Sequence, residues 1–159
     1  MTRKMQKSSR QLPDQEAKQL LAQGDTGVLS INGDDGYPYG VPMTYIYVEK
    51  DQAIYLHSAN YGYKWEALQE NNKVCFTAIL SSKILPHKST AAFESVIVTG
   101  IAHQLQDDSD KRAVMDLFVK CFCKGHEEVG NKLIKGVYDK TGVIRLEIEE
   151  LKGKAYRDS

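Results

Sequence analysis

An apolar run in this chain closes on a His-Ser pair, His57 and Ser58, and a lysine, Lys64, follows six residues later. The whole stretch from Tyr55 to Thr77, YLHSANYGYKWEALQENNKVCFT, reads as strand, small polar turn, helix and second strand. Lys64 would then sit just inside the helix start. A hydroxyl, an ammonium and the free N–H groups of a first helical turn converge at one place. Such a set suits a phosphate monoester. The His57 imidazole changes charge near neutral pH, so beside that site it could hold or release a proton. Alone, Lys64 would be a solvated helix-start lysine and His57 a hydrogen-bonded strand end. Their shared position is what makes a candidate site.

The preceding unit, GVLSINGDDGYPYGVPMTYIYV, reads as a β-hairpin. Gly33-Asp34-Asp35-Gly36 forms its turn, because Gly and Asp tolerate positive φ. Its long second strand, 37–48, would run beside the pocket and give a planar ring an apolar bed. Hairpin and pocket together suggest a site for flavin mononucleotide (FMN).

Other elements must hold this pair in place. Residues 13–23 read as a short helix, started by Pro13-Asp14 and stopped by Gly24. Strands are expected at 26–32, 53–58, 74–80 and 93–105, with Gly100 marking a bulge. The strand 74–80 reads as buried on both faces, with Cys75 a small core residue. In the helix 62–70, Trp65 and Leu68 would face the sheet. Residues 81–91 read as a loop. Asp107 to Asp110 start a helix over 110–123, and 125–139 fits either a short helix or a loop. A strand over 142–149 closes the chain, with 151–156 as a short added edge. Tyr37, Tyr39, Tyr45 and Tyr47 would share one strand face if no bulge intervenes, most of them as packing or dimer-interface residues. Residues 1–11 are expected to be a flexible arm, or one that crosses to a second subunit. The order of about six strands and three helices favours a mainly β, antiparallel barrel with peripheral helices.

Composition bounds the function. The 159 residues fit one domain, 42% of them hydrophobic, enough for a real core. The 21 basic and 21 acidic residues cancel, against a nucleic-acid binder. No apolar run approaches the roughly 18 residues of a membrane span. MTRKMQKSSR is basic, but no apolar stretch follows, so no secretory signal is expected. Three cysteines without framework spacing fit a reducing cytoplasm. In Cys121-Phe122-Cys123 a helix points the two thiols to different faces, so no metal site is expected even with His126 nearby.

The hairpin, the block IYLHSANYGYKWEALQENNKVCFTAI and the strand ESVIVTGIAHQL stand in an order and spacing that resemble a known family. This is the FMN-binding split β-barrel superfamily, related to pyridoxamine 5'-phosphate oxidase, and within it the nitroimidazole-resistance-type branch. The resemblance covers residues 24–105 well and the last strand more loosely. It implies a six-stranded antiparallel Greek-key split barrel, one domain over 1–159, paired as a homodimer with FMN at the subunit interface. It places Gly40, Val41, Pro42 and Met43 along the flavin ring. His57 and Ser58 fall beside the ribityl chain and phosphate, with His57 a candidate catalytic acid. Tyr63 and Lys64 match the dipeptide that binds the phosphate, and Ser95 a polar position near the ring's edge. Tyr63 stands where the oxidases usually carry Arg. The chain ends GKAYRDS, without the basic, aromatic segment that grips pyridoxamine phosphate in the oxidases, so the vitamin B6 substrate is not carried over.

The expected activity is an FMN-dependent oxidoreductase that reduces a small organic acceptor such as a nitroaromatic, with NAD(P)H a candidate donor. Two alternatives stay open. One is a flavin-binding carrier or sensor without turnover. The other is the same barrel holding haem or a deazaflavin, with His57, His87 or His103 as an axial haem ligand.

Overall fold

Tyr45 breaks what the sequence presents as one long strand. In the computed structural model, which describes residues 3–158, strands β2 (Pro38–Thr44) and β3 (Ile46–Val48) flank this single residue. Its side chain is 1% exposed. Its hydroxyl donates to the Leu21 carbonyl at 2.7 Å and its N–H to the Asp25 carbonyl at 2.9 Å. Its ring meets Phe76 edge-on, centroids 5.0 Å apart. With its backbone donor turned toward Asp25, the chain leaves one neighbouring strand and joins another. β2 pairs with β1 (Thr26–Asn32), whereas β3 pairs with β4 (Ala53–Ala59).

The remaining strands are β5 (Lys73–Leu85), β6 (Thr90–Gln104) and β7 (Thr141–Tyr156). All pairings are antiparallel, in the order β2-β1-β5-β6-β7-β4-β3. The sheet therefore has seven strands rather than six, and it is not closed by a hydrogen-bonded ladder. Its edge strands are successive segments with one residue between them, so the sheet must curl until its ends meet at Tyr45.

Among the described residues four α-helices surround it: α1 (Asp14–Gln23), α2 (Tyr63–Glu70), α3 (Asp108–Phe122) and α4 (Glu127–Val137). Asp107 caps α3, its carboxylate accepting from the Ser109 and Asp110 N–H groups. The ambiguous segment 125–139 is thus mostly helix. The expected loop 81–91 is instead a hairpin arm, because β5 and β6 pair out to Leu85 and Thr90. The expected edge 151–156 is the continuation of β7. Its register with β6 shifts between Thr99 and Gly100, where a Cβ on Gly100 would stand 1.9 Å from the Glu147 carbonyl oxygen. Residues 3–11 lie along β7. Arg10 stacks over the Tyr156 ring at 4.5 Å, and Gln11 bridges to Lys154. Residues 1 and 2 of the expected arm are outside the described residues. Among the described residues, no helix is long and apolar enough to cross a membrane.

Two cores share the sheet. The larger one packs Leu29, Phe76, Val98, Ile54, Leu56 and Leu146 with Leu21 of α1 and Leu68 of α2. Each such side chain contributes about 1.5–3 kcal/mol by leaving water. The smaller joins Ala53, Tyr55 and Val143 to Val114, Met115 and Phe118 of α3. β4 is therefore buried on both faces over 53–56, with alternate residues serving different cores, and β7 likewise gives Val143 to one core and Ile144 and Leu146 to the other. In the expected stretch 74–80 of β5, Val74, Phe76 and Ala78 of the inward face are buried, and Cys75 on the opposite face is half-buried.

Candidate functional site

Alternation along β4 decides where His57 points. Ala53 and Tyr55 lie under α3, so His57, two residues on, emerges on the same side at the end of that core. Its ring meets Phe118 edge-on at 4.5 Å. The strand ends at Ala59, Gly62 turns the chain with φ +86°, and α2 begins at Tyr63. Lys64, in the first turn of α2, comes back beside the strand end.

The two side chains border one cleft of about 440 Å³, with Pro42, Met43 and Thr44 of β2 as one wall. Ser58, Ala59, Val137, Lys140 and Thr141 complete it. No Asp or Glu lines it among the described residues. Lys64 and Lys140 therefore make it a positive site. Burial lowers the Lys64 pKa from its ordinary value. His57 is lowered as well, first by desolvation where its ring meets Phe118 and second by the nearby Lys64 charge. An uncompensated ammonium in a half-buried place is a group waiting for an anion.

The position of Lys140 has a structural cause that no local pattern reveals. β4 pairs with β7 so that Ala59 faces Thr141 and Ser58 faces Gly142. This register brings the turn 138–140 against the β4–α2 connection. Asn60 then holds it: its N–H donates to the Lys140 carbonyl at 3.0 Å and its amide to the Asp139 carbonyl at 2.9 Å. Trp65 of α2 packs over Gly142, where a Cβ would come within 2.3 Å of the ring.

Pro42, Met43, His57, Ser58 and Lys64, proposed from sequence, are thus brought together. Gly40 and Val41 lie one turn of the pleat further along β2, Gly40 exposed and Val41 packed on the larger core. Tyr63 faces away from the cleft. Its hydroxyl accepts from the Asp34 N–H at 3.0 Å and donates to the Asp34 carboxylate at 2.9 Å, and its ring packs on Tyr39. Tyr63 therefore ties α2 to the β1–β2 turn. Ser95 lies on β6 beside Lys154, outside this cleft. His87 stands in the turn between β5 and β6, and His103 pairs with the Glu147 carboxylate at 2.9 Å. Sequence reasoning missed Thr44, Ala59, Val137, Lys140 and Thr141; of these only Val137 lies within 125–139, the segment whose helix it left open.

A second, apolar chamber of about 290 Å³ adjoins the cleft. The two share Thr44, His57, Val137 and Thr141, so His57 stands between a positive space and an apolar one.

Residues 13–155 match a family model described as pyridoxamine 5'-phosphate oxidase. Among solved structures, the chain is similar to a candidate 5-nitroimidazole antibiotic resistance protein from Bacteroides thetaiotaomicron. The two are 25% identical, with 91% of this chain and 85% of that one covered and a TM-score of 0.71. A FAD-binding protein from Mesorhizobium loti is 22% identical over 93% of this chain and 98% of that one, with a TM-score of 0.66. A flavocytochrome from Azotobacter vinelandii reaches a TM-score of 0.77 at 19% identity, over 99% of this chain and 74% of that one. No curated protein sequence matches the chain.

Proposed function

The chain belongs to the pyridoxamine 5'-phosphate oxidase family, and on that premise we propose that it binds FMN in the cleft beside His57 and works as a flavin-dependent oxidoreductase. The observation that carries this reading is that Lys64 and Lys140 line one cleft walled by Pro42, Met43 and Thr44, with no carboxylate in its lining among the described residues. A flavin needs both parts: cations for a phosphate near two negative charges, and an apolar bed for a planar ring. Lys64, Lys140 and the first N–H groups of α2 would hold the phosphate, with Ser58 beside the ribityl chain. Gly40, Val41, Pro42 and Met43 would line the ring. Bound flavin supplies the electron transfer itself. His57, neutral at physiological pH, would border the reacting edge and offer the acceptor a hydrogen bond from its ring N–H.

The same reading includes a homodimer in the Greek-key split-barrel form. Ser95 lies outside the cleft of its own chain, so it would reach a ring edge only in a second subunit's site. A small organic acceptor such as a nitroaromatic fits the family resemblance, with a reduced nicotinamide as donor.

Absorbance of the purified protein, before and after adding FMN and desalting, is the primary test. Retained flavin absorbance is expected. Lys64→Ala should then weaken FMN binding roughly tenfold to a hundredfold, the loss of one charged hydrogen bond. Unchanged affinity would overturn the phosphate site. Steady-state reduction of a nitroimidazole separates an enzyme from a carrier.

A further inference from the structure

The chamber beside the cleft is built unlike the cleft itself. Met115, Phe118 and Phe122 of α3 form one side, and Leu133 and Ile134 of α4 the other. His57 closes it toward the cleft. No Lys, Arg, Asp or Glu lines it among the described residues.

Its shape has a cause in the helix pair. Gly130 lets α4 approach α3 closely, since a Cβ there would stand 2.7 Å from the Cys123 sulfur and 3.1 Å from Val119. The apolar chamber lies beside this contact, with Cys123 and Gly130 in its lining. Phe118 and Phe122 stack at 5.6 Å with their planes 26° apart, so they present ring surface. Leu133 is 66% exposed and Phe122 44%, large apolar side chains that border the opening.

We propose that this chamber binds a small, uncharged aromatic molecule and sets it against His57. An apolar cavity of about 150 Å³ already takes up benzene. About 290 Å³ therefore has room for a ring with substituents. Stacked phenylalanines favour a flat ring. A carboxylate or phosphate would enter without a cation to meet it, so charged relatives of the same ring are rejected by desolvation. His57 offers the chamber one ring N–H, suited to a neutral acceptor oxygen such as that of a nitro or carbonyl group. That the molecule accepts electrons rests on the flavin reading above. That it binds here does not.

Isothermal titration calorimetry of the whole protein with nitrobenzene and with 4-nitrobenzoate tests this directly, since the two share a ring and differ in charge. Nitrobenzene is expected to bind, and 4-nitrobenzoate at least tenfold more weakly. Leu133→Asp puts a carboxylate at an exposed position and should weaken nitrobenzene at least tenfold with flavin uptake unchanged. Ile134→Trp should do the same by filling the space, and melting curves verify that each variant folds. Equal binding of the two probes, or wild-type nitrobenzene affinity in both folded variants, overturns the chamber. Nitrobenzene binding that Leu133→Asp abolishes, in protein that takes up no flavin, supports the chamber and overturns only the electron-transfer reading.

Discussion

At the residue scale, His57 carries a pH signature that the cleft imposes. Burial first, and Lys64 second, lower its pKa below the ordinary histidine value of 6.5. As pH falls through 6.5, the unfolded chain takes a proton at this position before the folded chain does. Stability from this residue is therefore complete above 6.5 and declines on the acid side as pH falls through the folded pKa. His57→Gln should flatten the decline in melting temperature between pH 8 and pH 5, with little change at pH 8. An NMR titration of the imidazole should find its midpoint below 6.5, and Lys64→Ala should move it upward by removing the second cause. A midpoint unmoved by Lys64→Ala would show that the two groups do not share a site. Lys64 and His57 were legible because strand end, turn and helix start lie within one short stretch. Lys140 was not, because its place depends on the pairing of β4 with β7 and on the grip of Asn60, 80 residues away in sequence.

At the element scale, the departures from expectation trace to pairing and packing that the local pattern does not carry. The break at Tyr45 requires the Leu21 and Asp25 carbonyls, which alternation in 37–48 cannot reveal. The arm at 81–84 looked like a loop because its residues are all exposed, so no buried face imposes alternation on the sequence there. α4 carries two glycines that weaken a helical pattern, and one of them, Gly130, is there for its contact with α3. β7 read as two pieces because its shifted register resets which face each residue takes. Gly100 was legible as a bulge, and its contact turns that reading into a prediction. The space a Cβ would occupy is filled by the backbone of Glu147, which cannot rotate aside. Gly100→Ala should cost about 3 kcal/mol, at the upper end of ordinary overpacking. Denaturant titration measures it, and a cost below about 0.5 kcal/mol, the range of surface substitutions, would mean that the bulge relaxes freely.

At the scale of the whole molecule, the outer face of β5 and β6 groups exposed apolar side chains. Ile79 is 67% exposed, Ile84 70% and Ile97 47%, all on neighbouring strands. Ser95 follows the same face two residues before Ile97. The Thr99 hydroxyl, two residues after it, is buried without a hydrogen-bond partner among the described residues. Apolar side chains grouped on one face mark an interaction surface more often than isolated ones do. A second copy set on this face would cover the isoleucines and bring Ser95 toward a neighbouring site, which is how a residue outside its own cleft could act on a flavin ring. Sedimentation equilibrium is then expected to give a dimer. Ile97→Glu places a charge on this face without touching the cleft, so it should shift the chain toward monomer and lower FMN affinity in parallel. A monomeric wild type, or a monomeric variant with full FMN affinity, would show that each chain holds its flavin alone and that Ser95 has no part in it.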